Sequence, residues 1–172
     1  MSLEIRPLSL DDATLEGLAD ILVDVVEAGF SVGFMSPYSR AEARAFWTKC
    51  LEHAAEGGRV VLGAYEAGRL IGTASLVTDM PPNQPHRADV CKVPTLARGR
   101  SVGEALMHAI EAEAQARGRW LLVLDAVSND LGAKLYRKMG WTEAGEIPDY
   151  ALMPDGAPCP TTYFYKRMPW AP

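Results

Sequence analysis

The chain lacks a long apolar run, a basic tract and any close pair of cysteines, and each absence removes a class of protein. No stretch approaches the twenty or so apolar residues needed to span a bilayer. Acidic residues outnumber basic ones, 22 to 17, for a formal charge of −5. With no basic cluster to neutralise phosphates, neither nucleic acid nor an anionic membrane is an expected partner. Cys50, Cys91 and Cys159 are odd in number and widely spaced, without C-x-x-C, so reduced thiols in the cytoplasm are expected. His53 and His108 lie in expected helices with no second ligand at metal spacing, His86 follows a proline loop where it is free to contact a substrate, and no metal is expected. The opening MSLEIRPLSLDD has acidic residues and no apolar core, unlike a secretory signal. Internal repeats and low-complexity segments are also missing.

What is present describes a globular chain. The 172 residues are 48% apolar and 23% charged, which suits one domain over 1–172 burying about 70% of its unfolded surface. A short strand is expected over 3–7. A helix capped by Asp11 or Asp12 then carries Leu15, Leu18, Ile21, Leu22 and Val25. The segment GFSVGFMSPYS (29–39) is apolar yet holds two glycines and a proline, so it either plugs the core or lines a pocket. A second helix near 40–56 ends at Gly57-Gly58. RVVLGAYEAGRLIGTASLVT then reads as an antiparallel hairpin turning at Glu66-Ala67-Gly68.

The stretch 88–118, ADVCKVPTLARGRSVGEALMHAIEAEAQARG, organises the remainder. A strand over 87–93, stopped by Pro94, leads through a Gly/Arg turn into a helix with Val102, Leu106, Ile110 and Ala114 on one face. Glu104, Glu111, Glu113 and Arg117 are expected to face water. Gly99 and Gly103 allow close backbone approach, Arg98 and Arg100 add charge, and the first helical amides lack internal partners. The turn suits a phosphate or pyrophosphate. Alternatively, Ser101 and Glu104 form an S-x-x-E capping box that explains the helix start without any ligand. WLLVLDAV (120–127) reads as a central strand buried on both faces, followed by a helix over 130–139. Closing strands are expected over 141–147 and 161–168, with a turn-rich loop between them.

R-G-R-S-V-G (98–103) resembles the R/Q-x-x-G-x-G/A acetyl-CoA motif of the GNAT superfamily of N-acetyltransferases. NDLGAKLYRKMGW (129–141) is similar to that superfamily's N-x-x-A-x-x-L-Y-x-K-x-G-F helix, with Asn129, Leu135, Tyr136, Lys138 and Gly140 in place. Two departures stand out: Ser101 replaces the usual central Gly and Gly132 the usual Ala. A capping Ser101 hydroxyl would compete with phosphate for an amide and weaken cofactor binding. GFSVGFM, GEIPDY, PDG and PTTYFYK each look like pieces of tabtoxin-resistance acetyltransferases, the subgroup the chain resembles most. Only five residues separate Lys92 from Arg98, about two fewer than that group's pattern.

The resemblance implies an α/β (α+β) fold: a mixed, mostly antiparallel sheet splayed at the cofactor site and flanked by about four helices. It also implies acetyl-CoA as co-substrate and a small-molecule amine as acceptor, in a monomer or homodimer. The implied cofactor contacts are Val90, Cys91, Lys92, Arg98, Gly99, Arg100, Ser101, Val102, Gly103, Asn129 and Tyr136. Acceptor contacts would come from Phe30, Val32, Phe34, Met35, Asp89, Asp125 and Tyr150. Acetyl transfer needs a neutral nitrogen, a stabilised oxyanion and a proton for the departing thiolate. Asp89 is either the base or a strand carboxylate paired with Arg87. Asp125, ending its strand, either shares that role or caps the next turn. Tyr136 is either the acid or a half-buried helix tyrosine with a satisfied hydroxyl; seven residues, two turns, after Asn129, it would share that residue's side of the helix. A backbone N–H near Val90 to Lys92 would serve the oxyanion. Cys91, with no adjacent His, reads as a small buried thiol. The rival reading is a binding-only acyl-CoA sensor with the same fold.

Overall fold

The computed structural model describes residues 3–91, 93–96 and 101–169. Strand β1 (Leu3–Pro7) leads to helices α1 (Asp12–Glu27) and α2 (Arg40–Ala55). Strands β2 (Arg59–Glu66), β3 (Arg69–Val77) and β4 (Arg87–Cys91) follow, then α3 (Val102–Ala116), β5 (Leu121–Val127) and α4 (Leu131–Lys138). A hairpin of β6 (Thr142–Leu152) and β7 (Pro158–Arg167) closes the chain. The seven strands form one sheet in the order β1-β2-β3-β4-β5-β7-β6, and every neighbouring pair is antiparallel except β4 with β5. Among the described residues no helix is long and apolar enough to cross a membrane.

Local chemistry explains the boundaries. Asp11, of the two expected caps, accepts from the Thr14 amide at 2.8 Å. Ser39 and Glu42 form a full capping box at α2, a signal legible in S-x-x-E but passed over above. Ala67 and Gly68, both at positive φ, make the two-residue turn of the β2–β3 hairpin, where a left-handed pair matches strand twist.

The helices cover the two sheet faces unequally. One cluster joins α3 and α4 to Leu62, Leu76, Val90, Leu122, Leu124 and Phe164. The other joins α1 and α2, around fully buried Trp47, to Val61 and Leu70. Since α1 packs on β3 and α2 on β2, that second face is left open over β5, β7 and β6.

Four expectations change. Strand β5 is not buried on both faces: Leu122 and Leu124 are buried, Leu121 and Val123 only partly, and Asp125 is exposed, because helices cover one side alone. The supposed loop 148–160 is mostly strand. Register slips near Gly145 and between Ile147 and Ala151 absorb Pro148, which an edge strand tolerates, leaving a tight turn at Met153–Gly156. Strand β4 is assigned only to Cys91. Glu111 does not face water; it is 7% exposed, accepting from Trp141 Nε1 at 3.2 Å and Lys166 Nζ at 2.8 Å. Lys166 also donates to the Met139 carbonyl at 3.1 Å, so this buried pair pins α3 to the end of α4 and to β7.

Glu111→Ala strands the Lys166 ammonium and leaves the indole N–H unpaired, and should cost about 3 kcal/mol or more in urea unfolding. A loss below about 1 kcal/mol would mean that water replaces the pair at no cost.

Candidate active site

The site begins where two strands part. Strands β4 and β5 pair in parallel only from Arg87↔Leu121 to Asp89↔Val123. Beyond that, β4 keeps its bonds to β3 and β5 keeps its bonds to β7 as far as Val127. The chain after Cys91 returns to β3 through the Gly72↔Thr95 bridge, so three steps on β3 face four on its partner, a one-residue bulge. The Thr73 amide to Pro94 carbonyl bond (3.1 Å) and the Leu96 amide to Ile71 carbonyl bond (2.9 Å) carry this edge past the proline. Strand amides alternate in direction, so every second one on β4 beyond Asp89 looks into the gap.

A cavity of about 670 Å³ fills the gap. Val90, Cys91, Val93, Pro94 and Thr95 form one wall and Asp125, Ala126 and Val127 the other. Ser101, Gly103 and Glu104 of the α3 start, with Asp130 to Gly132 and Tyr136 of α4, close it on the helix side. Phe30, Ser31, Val32, Gly33, Tyr150 and Thr161 bound it on the open face. The α1–α2 segment is held there by Ser36, whose amide donates to the Pro154 carbonyl at 3.0 Å on the β6–β7 turn. That segment both plugs and lines: Phe34 meets Phe46 edge-to-face and packs on a tilted Tyr38 with the second core, while Phe30 and Val32 reach the cavity.

The first turn of α3 is uncapped by its own side chains. The Ser101 hydroxyl makes no capping bond, and Glu104 instead pairs with Lys138 at 2.6 Å. The expected capping box is thus replaced by a tie between α3 and α4, and the supposed competition with phosphate has no structural basis. Gly103 is where α4 comes closest: a Cβ there would lie 3.2 Å from Leu135. Gly132 opens space over Tyr136, yet a Cβ would meet that ring at an ordinary 3.6 Å, so the usual Ala would also fit.

Tyr136 is 7% exposed, wedged against Phe164 and Trp141, and its hydroxyl has no hydrogen-bond partner among the described residues. Burial first, then the charges of Asp125, Asp130 and Cys91, push its phenol well above the ordinary tyrosine range. Asp89 pairs with Arg87, as its structural alternative supposed. Its pKa is nevertheless raised, because burial, aided by the charge of Asp125, outweighs the guanidinium.

Not every residue named above reaches the cavity. Asp125, Val90, Cys91, Ser101, Gly103, Tyr136, Phe30, Val32 and Tyr150 do. Asp89 lies behind the wall on the same sheet face as Asp125, and Phe34 and Met35 lie off it. The Val102 side chain is buried in the first core, leaving only its amide. Asn129 is exposed in the turn before Asp130, the true cap of α4, so the two-turn argument linking it to Tyr136 fails. Lys92, Arg98, Gly99 and Arg100 fall outside the described residues. Cys91 is not a buried thiol but a half-buried one on the wall. His86 stacks on Trp120, off the cavity.

Tyr163 escaped the sequence reading. It sits opposite Asp125 in the β5–β7 register, and its hydroxyl lies 2.5 Å from that of Tyr150. That hydrogen bond, with burial and the charge of Asp125, pushes its phenol up to about 12. The alternation of β7 would have put it on the face of Asp125, had the register been known.

A family model described as an acetyltransferase (GNAT) domain matches residues 57–143. The fold is similar to an N-acetyltransferase of Staphylococcus aureus Mu50, with TM-score 0.80 and 20% identity over 97% of this chain and 99% of that one. It is similar to a candidate acetyltransferase of Salmonella typhimurium solved with its cofactor acetyl-CoA, with TM-score 0.79 and 18% identity over 100% and 97% of the two chains. A candidate phosphinothricin N-acetyltransferase gives 0.76 and 20% over 98% and 99%.

A phenol whose folded pKa is raised binds its proton more tightly in the folded state. Below about pH 10 both states are protonated and nothing is contributed; above it the unfolded chain ionises first and stability falls. Between about pH 9 and 11, Tyr136→Phe should therefore lose stability less steeply than the parent, by up to about 1.4 kcal/mol per pH unit. Parallel pH profiles in denaturant unfolding would contradict the raised pKa.

Proposed function

The chain belongs to the GNAT acetyltransferase family, which uses acetyl-CoA, and on that premise we propose that it transfers acetyl directly to a small primary amine. The observation that carries this reading is Tyr136, a buried side chain lining the β4–β5 gap whose hydroxyl has no hydrogen-bond partner among the described residues. A phenol held protonated there donates a hydrogen bond to the departing sulfur, of reference pKa about 8.5; its raised pKa makes it a weak acid, so it would pass its proton on only as it is itself re-protonated from the cavity. The uncapped first turn of α3, with Gly103 and the amides of Ser101 to Glu104, would hold the pyrophosphate of acetyl-CoA. Arg98, Gly99 and Arg100 precede it in sequence and would add to that cradle. The β4 amides that look into the gap would bind the pantetheine arm and the oxyanion.

On the open face, Asp125 at the cavity wall would receive the ammonium and its proton, directly or through water. Asp89, with its raised pKa, is a stronger base than an ordinary aspartate and would support the same step from behind the wall. Phe30 and Val32 would cover the apolar body of the acceptor, with Tyr150 and Tyr163 at its far side. Likeness to tabtoxin-resistance enzymes and to a candidate phosphinothricin N-acetyltransferase supports an amino-acid-like toxin, antibiotic or metabolite as acceptor. A cytoplasmic setting and a single domain, as monomer or homodimer, fit this reading.

In assays of free-thiol release with a panel of amines, Tyr136→Phe should lose turnover by about 100-fold or more while binding coenzyme A within about threefold of the parent. Undiminished turnover would remove Tyr136 as the acid.

A further inference from the structure

We propose that Cys91 is a site of covalent, reversible capture of coenzyme A: its thiol exchanges with the disulfide form of coenzyme A and closes the acetyl-CoA site under oxidising conditions. This rests on the acetyl-CoA reading given above. The residue ends β4 at the point where β4 has already left β5, two positions past the last paired residue, Asp89. Its side chain shares the sheet face of Asp89, is half-buried and lies on the cavity wall. A thiol in that position is not needed for packing, unlike Cys50 and Cys159, which are 5% and 4% exposed within the cores.

The second observation is independent of the cysteine. The Tyr136 side chain is more than nine-tenths buried and lines the same cavity, and no described residue hydrogen-bonds its hydroxyl, so it marks where a ligand atom belongs. For the phenol to protonate the departing thiolate, that sulfur must come within about 3 Å of it. The thiol of Cys91 stands on the wall of the same cavity. Two sulfurs are thus brought together by the cofactor's own binding energy, and proximity of this kind converts a slow bimolecular exchange into a fast local one.

The exchange balances without an added oxidant. The Cys91 thiolate attacks one sulfur of coenzyme A disulfide, a bond forms between Sγ and that sulfur, and the original S–S bond breaks. The second coenzyme A leaves as thiolate and takes up the proton that Cys91 released. One disulfide is exchanged for another, and the bound adduct occupies the slot that acetyl-CoA requires. A small thiol in excess reverses it.

The test uses the full chain, first reduced and freed of thiol. It is incubated with coenzyme A disulfide or, separately, with glutathione disulfide, and followed by intact mass and peptide mapping. The expected result is one coenzyme A adduct on Cys91, formed about tenfold or more faster than the glutathione adduct, suppressed by acetyl-CoA and reversed by dithiothreitol. Cys91→Ser should take up no coenzyme A. No adduct, an adduct on Cys50 or Cys159, or equal rates with the two disulfides would each overturn the proposal. Acetyl-CoA affinity measured in parallel under reducing conditions separates the two claims. Binding without an adduct sinks this inference alone, whereas no binding sinks the acetyl-CoA reading beneath it.

Discussion

The structure depends on the one parallel junction in an otherwise antiparallel sheet. Strands β4 and β5 share only three paired residues before β4 is drawn away along β3 by a bulge and β5 is held straight by β7. Backbone groups that a sheet would normally consume are left facing a cavity. Unpaired strand edges are costly in a core, where each buried amide needs a partner. A bound molecule with its own acceptors would meet that need. The helices reinforce it: α3 and α4 point their first turns at the same opening, and the Glu104–Lys138 pair holds them in register.

Chemistry then follows from which side of the sheet each group occupies. Tyr136 approaches from the face covered by α3 and α4, packed on Phe164. Asp89, Asp125 and Tyr163 lie on the opposite face, the one that α1 and α2 leave open. The gap is the place where the two sets meet, so it has a phenol on one side and carboxylates on the other. The same low-polarity surroundings raise both Asp89 and Tyr136, favouring the neutral form of each. The buried Glu111–Lys166 pair belongs to this arrangement because Lys166 also holds the carbonyl of Met139, the residue that ends the Tyr136 helix.

Much of this was legible in order along the chain. The 3.6-residue spacing of Leu15, Leu18, Ile21, Leu22 and Val25 gave α1, and Ala67-Gly68 gave the hairpin turn, because both signals are local. The splayed, mostly antiparallel sheet came through resemblance in two motifs and holds in the structure. Long-range facts were not legible. Glu111 reads as a solvent residue until Lys166, far along the chain, is seen to meet it. Tyr163 becomes a site residue only once the β5–β7 register places it opposite Asp125. The β6–β7 hairpin was hidden by Pro148 and Pro154, which usually mark loops but are tolerated at a bulge and a turn on a sheet edge.

Backbone hydrogen exchange with and without coenzyme A examines the slot most directly, since the amides that face the gap should be the ones the ligand occupies. Slowed exchange is expected at Thr95 and in the first turn of α3, at Gly103 and Glu104, with β1 and α2 unchanged. Protection spread evenly over the chain, or absent from those amides at saturating ligand, would contradict a cofactor site built on the parting of β4 and β5.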